Sequence, residues 1–375
     1  MGWIGDEIHY DCIHFRGDKP CKFRLNCPYC LHYHPMGFRV LIIKLGAMGD
    51  VLRTTSLLPS LAQELGKKHN TTHVTWIVDA PSAPLLESNP YIHRIWTVDI
   101  ETLIRVGVER FDLALCLDKE PRAIGLMAQC QAAKKRGFTM GEEGSLHPID
   151  DASDDAVLMG ISDMYKFRRN EKSYQQIVHE MVKLPSASEL YVLRFTDDEW
   201  TAADRQLAEL GATKRPLIGL NTGAGKVFPG KRWRAANFAE LGKRLHAATG
   251  GTVVLLGGPE EVERNQWIAD QLSGSVVELG TDNPLRHFAA MVGRLDLLVT
   301  GDTMALHVGL ASKVKTVALF GPTPPQEVDM GTWGEKLWRE PFGPGIMGQA
   351  DEESSVIQDI TVDEVEAACL RQLGK

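Results

Sequence analysis

The sequence predicts an α/β protein of two parallel-sheet domains behind a small cysteine-rich extension, and three observations predict it. Short β-branched apolar runs alternate with helical stretches between Arg39 and Asp118, and the same alternation restarts at Pro216. A chain of 375 residues exceeds one ordinary domain and can bury two cores. Four of the seven cysteines, Cys12, Cys21, Cys27 and Cys30, precede the first strand. The divisions read from these features are an extension over 1–38, a first domain over 39–190, a second over 191–350 and a closing helix over 351–375.

The net charge of -8 and pI near 5.9 argue against a nucleic-acid partner, because phosphate backbones select strongly basic faces. The first twenty residues hold acids, His14 and Arg16 but no apolar core, so they do not read as a signal peptide. No stretch approaches the roughly 18 apolar residues of a membrane span, which places the protein in the cytoplasm with at most peripheral contact at the inner membrane face.

In such a reducing compartment, clustered thiols favour a metal over disulfides. Cys27-Pro-Tyr-Cys30 has the gap that lets two sulfurs reach one zinc, whereas Cys12 and Cys21 are spaced loosely. A structural zinc, an iron-sulfur cluster and four small core cysteines all remain open readings.

Val40 to Ile43 form a strand too short and too β-branched for a helix, broken by Gly46 and Gly49. A helix opens there, with Asp50 in its first turn, where the macrodipole and unpaired N–H groups favour a carboxylate. An amphipathic helix follows with Leu57, Leu58, Leu61 and Leu65 near one face. Strands are expected over 72–80, 92–100 and 111–118, with helical segments between them.

Residues 139–172 read as a long surface loop, a frequent form of functional lid. Its acids, Asp150, Asp151, Asp154 and Asp155, read as solvated, and Lys166, Arg168, Arg169 and Lys172 form a basic group suited to an anionic acceptor. After the helix SYQQIVHEMVKL, LYVLRF suggests a strand and Thr196 caps a helix.

In the second half the expected strands are PLIGLN, TVVLLGG, SVVELG, LDLLVTG and TVALFG. Helices are expected from about Ala235, from Glu260, over PLRHFAAMVG and from Asp302. In the tail, Thr361 and Glu364 form a capping box.

Two turns suit anions. Gly225 to Lys231 matches the letters of a phosphate-binding P-loop, but Arg232 stands where a magnesium-holding Ser or Thr is needed, so the nucleotide-hydrolase reading is dropped. The small residues Thr222, Gly223, Ala224 and Gly225 after a strand, with Lys231 and Arg232 before a helix, still make an anion site. The second turn is Gly301 with Asp302 and Thr303 at a helix start, where plain capping is the competing reading. His307, one turn on, reads as a packed core histidine.

The segments IIKLGAMGDVL, NTGAGKVFPGKRW, VVLLGGPEE, TGDTMALHVG and FGPTPP, in that order and spacing, resemble glycosyltransferase family nine, the ADP-heptose:lipopolysaccharide heptosyltransferases. The likeness runs from residue 39 to the C-terminus. It implies a GT-B architecture of two Rossmann-like domains facing across a cleft, an inverting mechanism, and no metal at the reaction centre.

It also implies roles. Asp50 is the candidate general base, Lys231 binds the donor diphosphate, Asp302 and Thr303 begin the donor-binding helix, and Glu261 meets the donor ribose. Met304 stands where the family usually has Gly, a side chain that would narrow the sugar or diphosphate pocket. The donor is then a nucleotide sugar such as ADP-heptose, and the acceptor a glycan or lipid-linked glycan. Arg53 keeps the base ionised or, with Arg168 and Arg169, touches the acceptor, while Lys231, Arg232 and the amides near Thr303 steady the leaving diphosphate.

Two other classes fit the same motifs: a nucleotide-sugar epimerase of GT-B type, and a non-catalytic sensor using the cysteine extension. A dinucleotide dehydrogenase is the least favoured reading, because no G-x-G-x-x-G directly follows one of the strands expected above.

Overall fold

The computed structural model describes residues 8–24, 27, 30–185, 191–225, 228–272, 276–340 and 351–375. The elements of the first half are β1 (Phe38–Ile43), α1 (Met48–Thr54), α2 (Leu57–Gly66), β2 (Thr72–Val78), β3 (Arg94–Thr97), α3 (Ile100–Val108), β4 (Arg110–Cys116), α4 (Pro121–Gln129), β5 (Gln131–Met140) and β6 (Leu146–Pro148). There follow α5 (Asp154–Ile161), α6 (Tyr174–Met181), α7 (Asp197–Glu209), β7 (Leu217–Asn221), α8 (Ala235–Thr249), β8 (Thr252–Leu256), α9 (Val262–Leu272) and β9 (Val276–Glu278). The chain closes with α10 (Leu285–Val292), β10 (Leu297–Gly301), α11 (Met304–Ala311), β11 (Lys315–Phe320), β12 (Gly334–Trp338) and α12 (Val362–Gln372).

They form two compact units. The first takes the chain up to Leu45, Leu58–Val78 and Pro90–Asp151; the second takes Gly46–Leu57, Asp79–Asn89 and everything from Ala152. The segments that form α5 and α6, placed within the first domain over 39–190 by the sequence reading, therefore group with the second unit.

The sheet of the first unit runs β3-β2-β1-β4-β5-β6, parallel except for the antiparallel pair β5 and β6. Val40 to Ile43 are fully buried, as both faces of a parallel strand require. The end of β1 is pinned from below the turn: Lys44 Nζ lies 3.3 Å from Asp118 Oδ2, and the Leu45 amide donates to the same oxygen at 3.0 Å.

β5 was not expected, because QAAKKRGFTM has no apolar run. It forms by pairing with β4, and at Gly137 a φ of +92° and the close approach to the Cys116 carbonyl leave no room for a Cβ.

The sheet of the second unit, β12-β11-β10-β7-β8-β9, is parallel throughout. β7 and β10 are its central neighbours, and chain order reverses between them. Loops after such strands are where doubly wound sheets place ligands. One face of the sheet is covered by α8, α9 and α12, with Trp233, Phe238 and Leu245 buried there; the other is covered by α10 and α11.

Three sequence expectations fail locally. Residues 139–172 are not one loop but hold β6, α5 and a π-helical turn, Tyr165–Arg169. Their acids are not all solvated: Asp155 accepts from Tyr165 Oη and Lys172 Nζ, both at 2.6 Å, and is held below the usual carboxylate range chiefly by the Lys172 hydrogen bond.

Residues 191–195 of LYVLRF form no strand, and Leu190 lies outside the described residues. Side chains have taken the backbone groups a ladder would need, since Val192 N–H donates to Thr55 Oγ1 at 2.8 Å and its carbonyl accepts from Asn89 Nδ2 at 3.1 Å. The helix expected from Glu260 begins as a short 3-10 turn, Pro259–Glu261, before α9.

The capping boxes at Thr196 with Glu199 and at Thr361 with Glu364 are both formed.

The four thiols expected to enclose zinc are not gathered. Among the described residues no three His, Cys, Asp or Glu side chains come close enough to hold a metal ion. Cys12 is buried beside a backbone bridge to Pro35, and Cys30 Sγ accepts from the His32 amide at 3.4 Å. Ring stacking organises the segment instead, with Phe23 on His32 at 3.9 Å and His9 on Tyr33 at 4.0 Å between centroids.

Candidate active site

A cavity of about 1020 Å³ opens within the second unit, at the ends of β7 and β10. Its lining brings together Asp50, Arg53, Gly223, Lys231, Glu261, Asp302, Thr303 and Met304, all named from sequence. It adds Lys166, Asn221, His307 and Glu327. Thr222, Arg232, Arg168 and Arg169 lie outside the lining. Thr222 is buried with its hydroxyl turned to Asn265, Arg232 donates to the Gly225 carbonyl at 2.7 Å, and Arg168 pairs with Glu340.

The anion-binding side is built by three turns. Lys231 closes a 3-10 turn, Pro229–Lys231, that is anchored from the C-terminal segment. Ser355 Oγ donates to the Gly230 carbonyl, and Trp233 Nε1 donates to the Ile360 carbonyl at 2.9 Å. Gly301 permits this approach, because a Cβ there would lie 2.9 Å from the Lys231 carbonyl oxygen. Lys231 Nζ then reaches Asp302 Oδ2 at 2.9 Å and the Asp302 carbonyl at 3.1 Å. Burial would raise the Asp302 carboxyl, but Lys231, with His307 and Arg53, outweighs it and holds the group well below the usual carboxylate range.

Thr303 is the N-cap of α11 without making a capping bond. Its hydroxyl is engaged elsewhere, accepting from Asn221 Nδ2 at 3.2 Å and lying 3.1 Å from Thr300 Oγ1. The first amides of α11 therefore keep their donors without a side-chain cap, and the helix dipole adds to their pull on an anion.

The third turn carries Glu261, which is 4% exposed. One carboxylate oxygen accepts from the Gly258 amide at 2.9 Å, while the buried Oε1 makes no hydrogen bond and has Arg232 Nη2 3.9 Å away, which leaves it able to accept from ligand hydroxyls. Gly223 makes room for it: a Cβ at that position would fall 2.0 Å from Glu261 Cδ.

On the other side stands α1. Asp50 lies in its first turn and Arg53 one turn on, with Arg53 Nη2 at 2.8 Å from Asp50 Oδ1. Burial works against the Arg53 charge, but Asp50 and Glu327 outweigh it and its pKa is raised. The guanidinium also lies over the Tyr174 ring, 3.7 Å from its centroid.

His307 sits between these sides. It is 4% exposed, as a packed histidine should be, yet it lines the cavity, and its Nδ1 is buried without a hydrogen-bond partner. Burial first, then Arg53 and Lys231, lower its pKa to about 4, so the ring is neutral near pH 7. No sequence signal distinguished this from an ordinary core histidine. Lys166 carried one, as part of a basic cluster, whereas Glu327 carried none because its partners are distant in sequence.

Two parallel-sheet α/β units, the second with a cavity where its chain order reverses, make a fold of GT-B type. The profile of "Glycosyltransferase family 9 (heptosyltransferase)" matches residues 162–338. Lipooligosaccharide heptosyltransferase 2 of Haemophilus influenzae is 25% identical over 316 residues, which span 76% of this chain and 84% of that protein.

Among solved structures, a family 9 glycosyl transferase from Veillonella parvula superposes with a TM-score of 0.71 at 21% identity, over 90% of this chain and 97% of the other. The E. coli ADP-heptose lps heptosyltransferase II superposes with a TM-score of 0.64 at 20% identity, over 90% and 98%. Residues 162–338 thus match the family 9 profile, and most of the chain is similar to a lipooligosaccharide heptosyltransferase.

Proposed function

We propose that this glycosyltransferase moves heptose from ADP-heptose to a hydroxyl of a lipopolysaccharide-type glycan, inverting the anomeric centre. The observation that carries the proposal is the cavity in which Asp50 and Arg53 line one side, and Lys231, Glu261 and the start of α11 line the other. The kinship with lipooligosaccharide heptosyltransferase 2 supports the choice of sugar and acceptor.

In this reading the acceptor oxygen bonds to the anomeric carbon as Asp50 takes its proton, and the bond from that carbon to the diphosphate oxygen breaks. ADP leaves with the electron pair. Lys231 and the amides after Thr303 neutralise the developing charge, so the step needs no metal ion. Glu261 Oε1 accepts from the ribose hydroxyls, and Met304 sets how closely the sugar approaches the helix start.

The acceptor enters past Arg53 and Lys166, a cationic approach suited to an anionic glycan. The reaction is assigned to the cytoplasm, with a lipid-linked acceptor met at the inner membrane face. Among the described residues no helix is long and apolar enough to cross a membrane, so that contact would be peripheral.

The test is transfer from ADP-heptose to a heptose-deficient lipopolysaccharide core by purified enzyme. Asp50→Ala should lose at least about 10³-fold in turnover while ADP still raises the melting temperature as in wild type. Turnover kept by Asp50→Ala removes Asp50 as base, and no transfer by wild type removes the substrate assignment.

A further inference from the structure

Arg53 stands in a row of alternating charge. Its Nη2 lies 2.8 Å from Asp50 Oδ1 and 3.6 Å from Glu327 Oε2, and Glu327 Oε1 lies 3.4 Å from Lys166 Nζ. α1 supplies Asp50 and Arg53, the π-helical turn supplies Lys166, and a 3-10 turn after β11, Pro325–Glu327, supplies Glu327. The row is covered at one end and open at the other: the side chains of Arg53, Glu327 and Lys166 are 12%, 15% and 13% exposed, against 35% for Asp50.

The guanidinium is also held against the Tyr174 ring of α6, 3.7 Å from its centroid. Two carboxylates thus draw on one cation, and a cation drawn closer to Asp50 would leave it a weaker base. Catalysis of proton transfer is best when the base titrates near the working pH, so this sharing matters to rate.

We propose that Glu327 is a positioning residue for glycosyl transfer: by holding part of the Arg53 guanidinium, it limits the grip of Arg53 on Asp50 and keeps that carboxylate basic. Lys166 tunes the sharing by drawing on Glu327 in turn. This rests on the reading of Asp50 as the base.

The row predicts opposite effects from its two distal members. In Glu327→Gln the whole Arg53 charge falls on Asp50, so the acid limb of kcat moves to lower pH and the plateau falls about tenfold, with the ADP-heptose KM within about twofold. In Lys166→Met, Glu327 holds Arg53 more fully and the limb moves to higher pH.

Among the described residues, titratable or charged groups near this row include Tyr174 on α6, Tyr191, Asp302 before α11, His307 on α11, Lys231, Asp79 and Asp329. All are unchanged by these substitutions.

The experiment records kcat against pH for wild type, Glu327→Gln, Lys166→Met, and Glu327→Asp, which keeps the charge and should keep the limb in place. Limbs displaced in opposite directions support the inference. Limbs that stay put, or move the same way, overturn it, whatever happens to melting temperature. If Glu327→Gln does not fold, the direction in Lys166→Met decides. Active Asp50→Ala would instead fail the base assignment itself, a separate result.

Discussion

Gly49 and His307 meet where α1 and α11 pack: a Cβ built on Gly49 would lie 2.5 Å from His307 Cδ2. The two helices whose first turns line the cavity are thus held together at a position where only hydrogen fits.

Gly49→Ala should therefore destabilise the protein by about 1–3 kcal/mol, since overpacking outweighs the gain in helix propensity. Urea unfolding measures it. Adding His307→Ala should recover part of the loss, giving a favourable coupling in the double-mutant cycle. Strict additivity would show that the contact is not shared.

His307 predicts a pH dependence of stability. Its folded pKa is about 4 against an unfolded value near 6.5, so between these values the unfolded chain binds a proton that the folded chain refuses. Stability contributed by the neutral ring is complete above about pH 6.5 and lost as pH falls to about 4, on the order of 2–3 kcal/mol. His307→Gln should flatten that slope in denaturation curves taken across the window; an unchanged slope would assign the dependence to other groups.

Lys231→Met should separate two roles. The Asp302 carboxylate, partly covered, would lose the cation that keeps it ionised, at a cost of about 2 kcal/mol in unfolding free energy. ADP affinity should fall at least about tenfold, read by calorimetry. Lys231→Arg, which keeps the charge in a different geometry, should fall between the two. The depressed Asp302 pKa adds stability present above the usual carboxylate range and lost as pH falls below it, and this acid dependence should shrink in Lys231→Met.

Gly223→Ala should act on the donor through Glu261. The added methyl must push aside the carboxylate, raising the ADP-heptose KM at least about tenfold with a smaller change in kcat. Glu261→Gln in the wild-type background should raise KM by less, because its amide oxygen can still accept. Equal KM in Gly223→Ala and wild type would show that Glu261 does not contact the nucleotide.

Strands β7 to β11 of the second unit and the helices between them were legible because a parallel sheet needs apolar runs on both faces, and residues such as Leu217–Asn221 and Leu297–Gly301 supply them. Capping boxes were legible because their chemistry lies within four residues. β5 was hidden by Lys134, Lys135 and Arg136, which are partly exposed beside β4. The helices between 152 and 172 were hidden by acids that are consistent with a loop until Lys172 and Tyr165 partner Asp155.

At the site, the sequence by itself determined the anchors: Asp50 in a helix turn after a buried strand, Lys231 before a helix, and Asp302 with Thr303 at another helix start. These follow from local rules of turns, dipoles and spacing. Only the tertiary structure decided which charges share Arg53, that Thr303 leaves α11 uncapped, and that His307 is neutral beside the cavity. The physical reason is that ion-pair geometry and desolvation depend on groups far apart in the chain, whose distances are settled by packing alone.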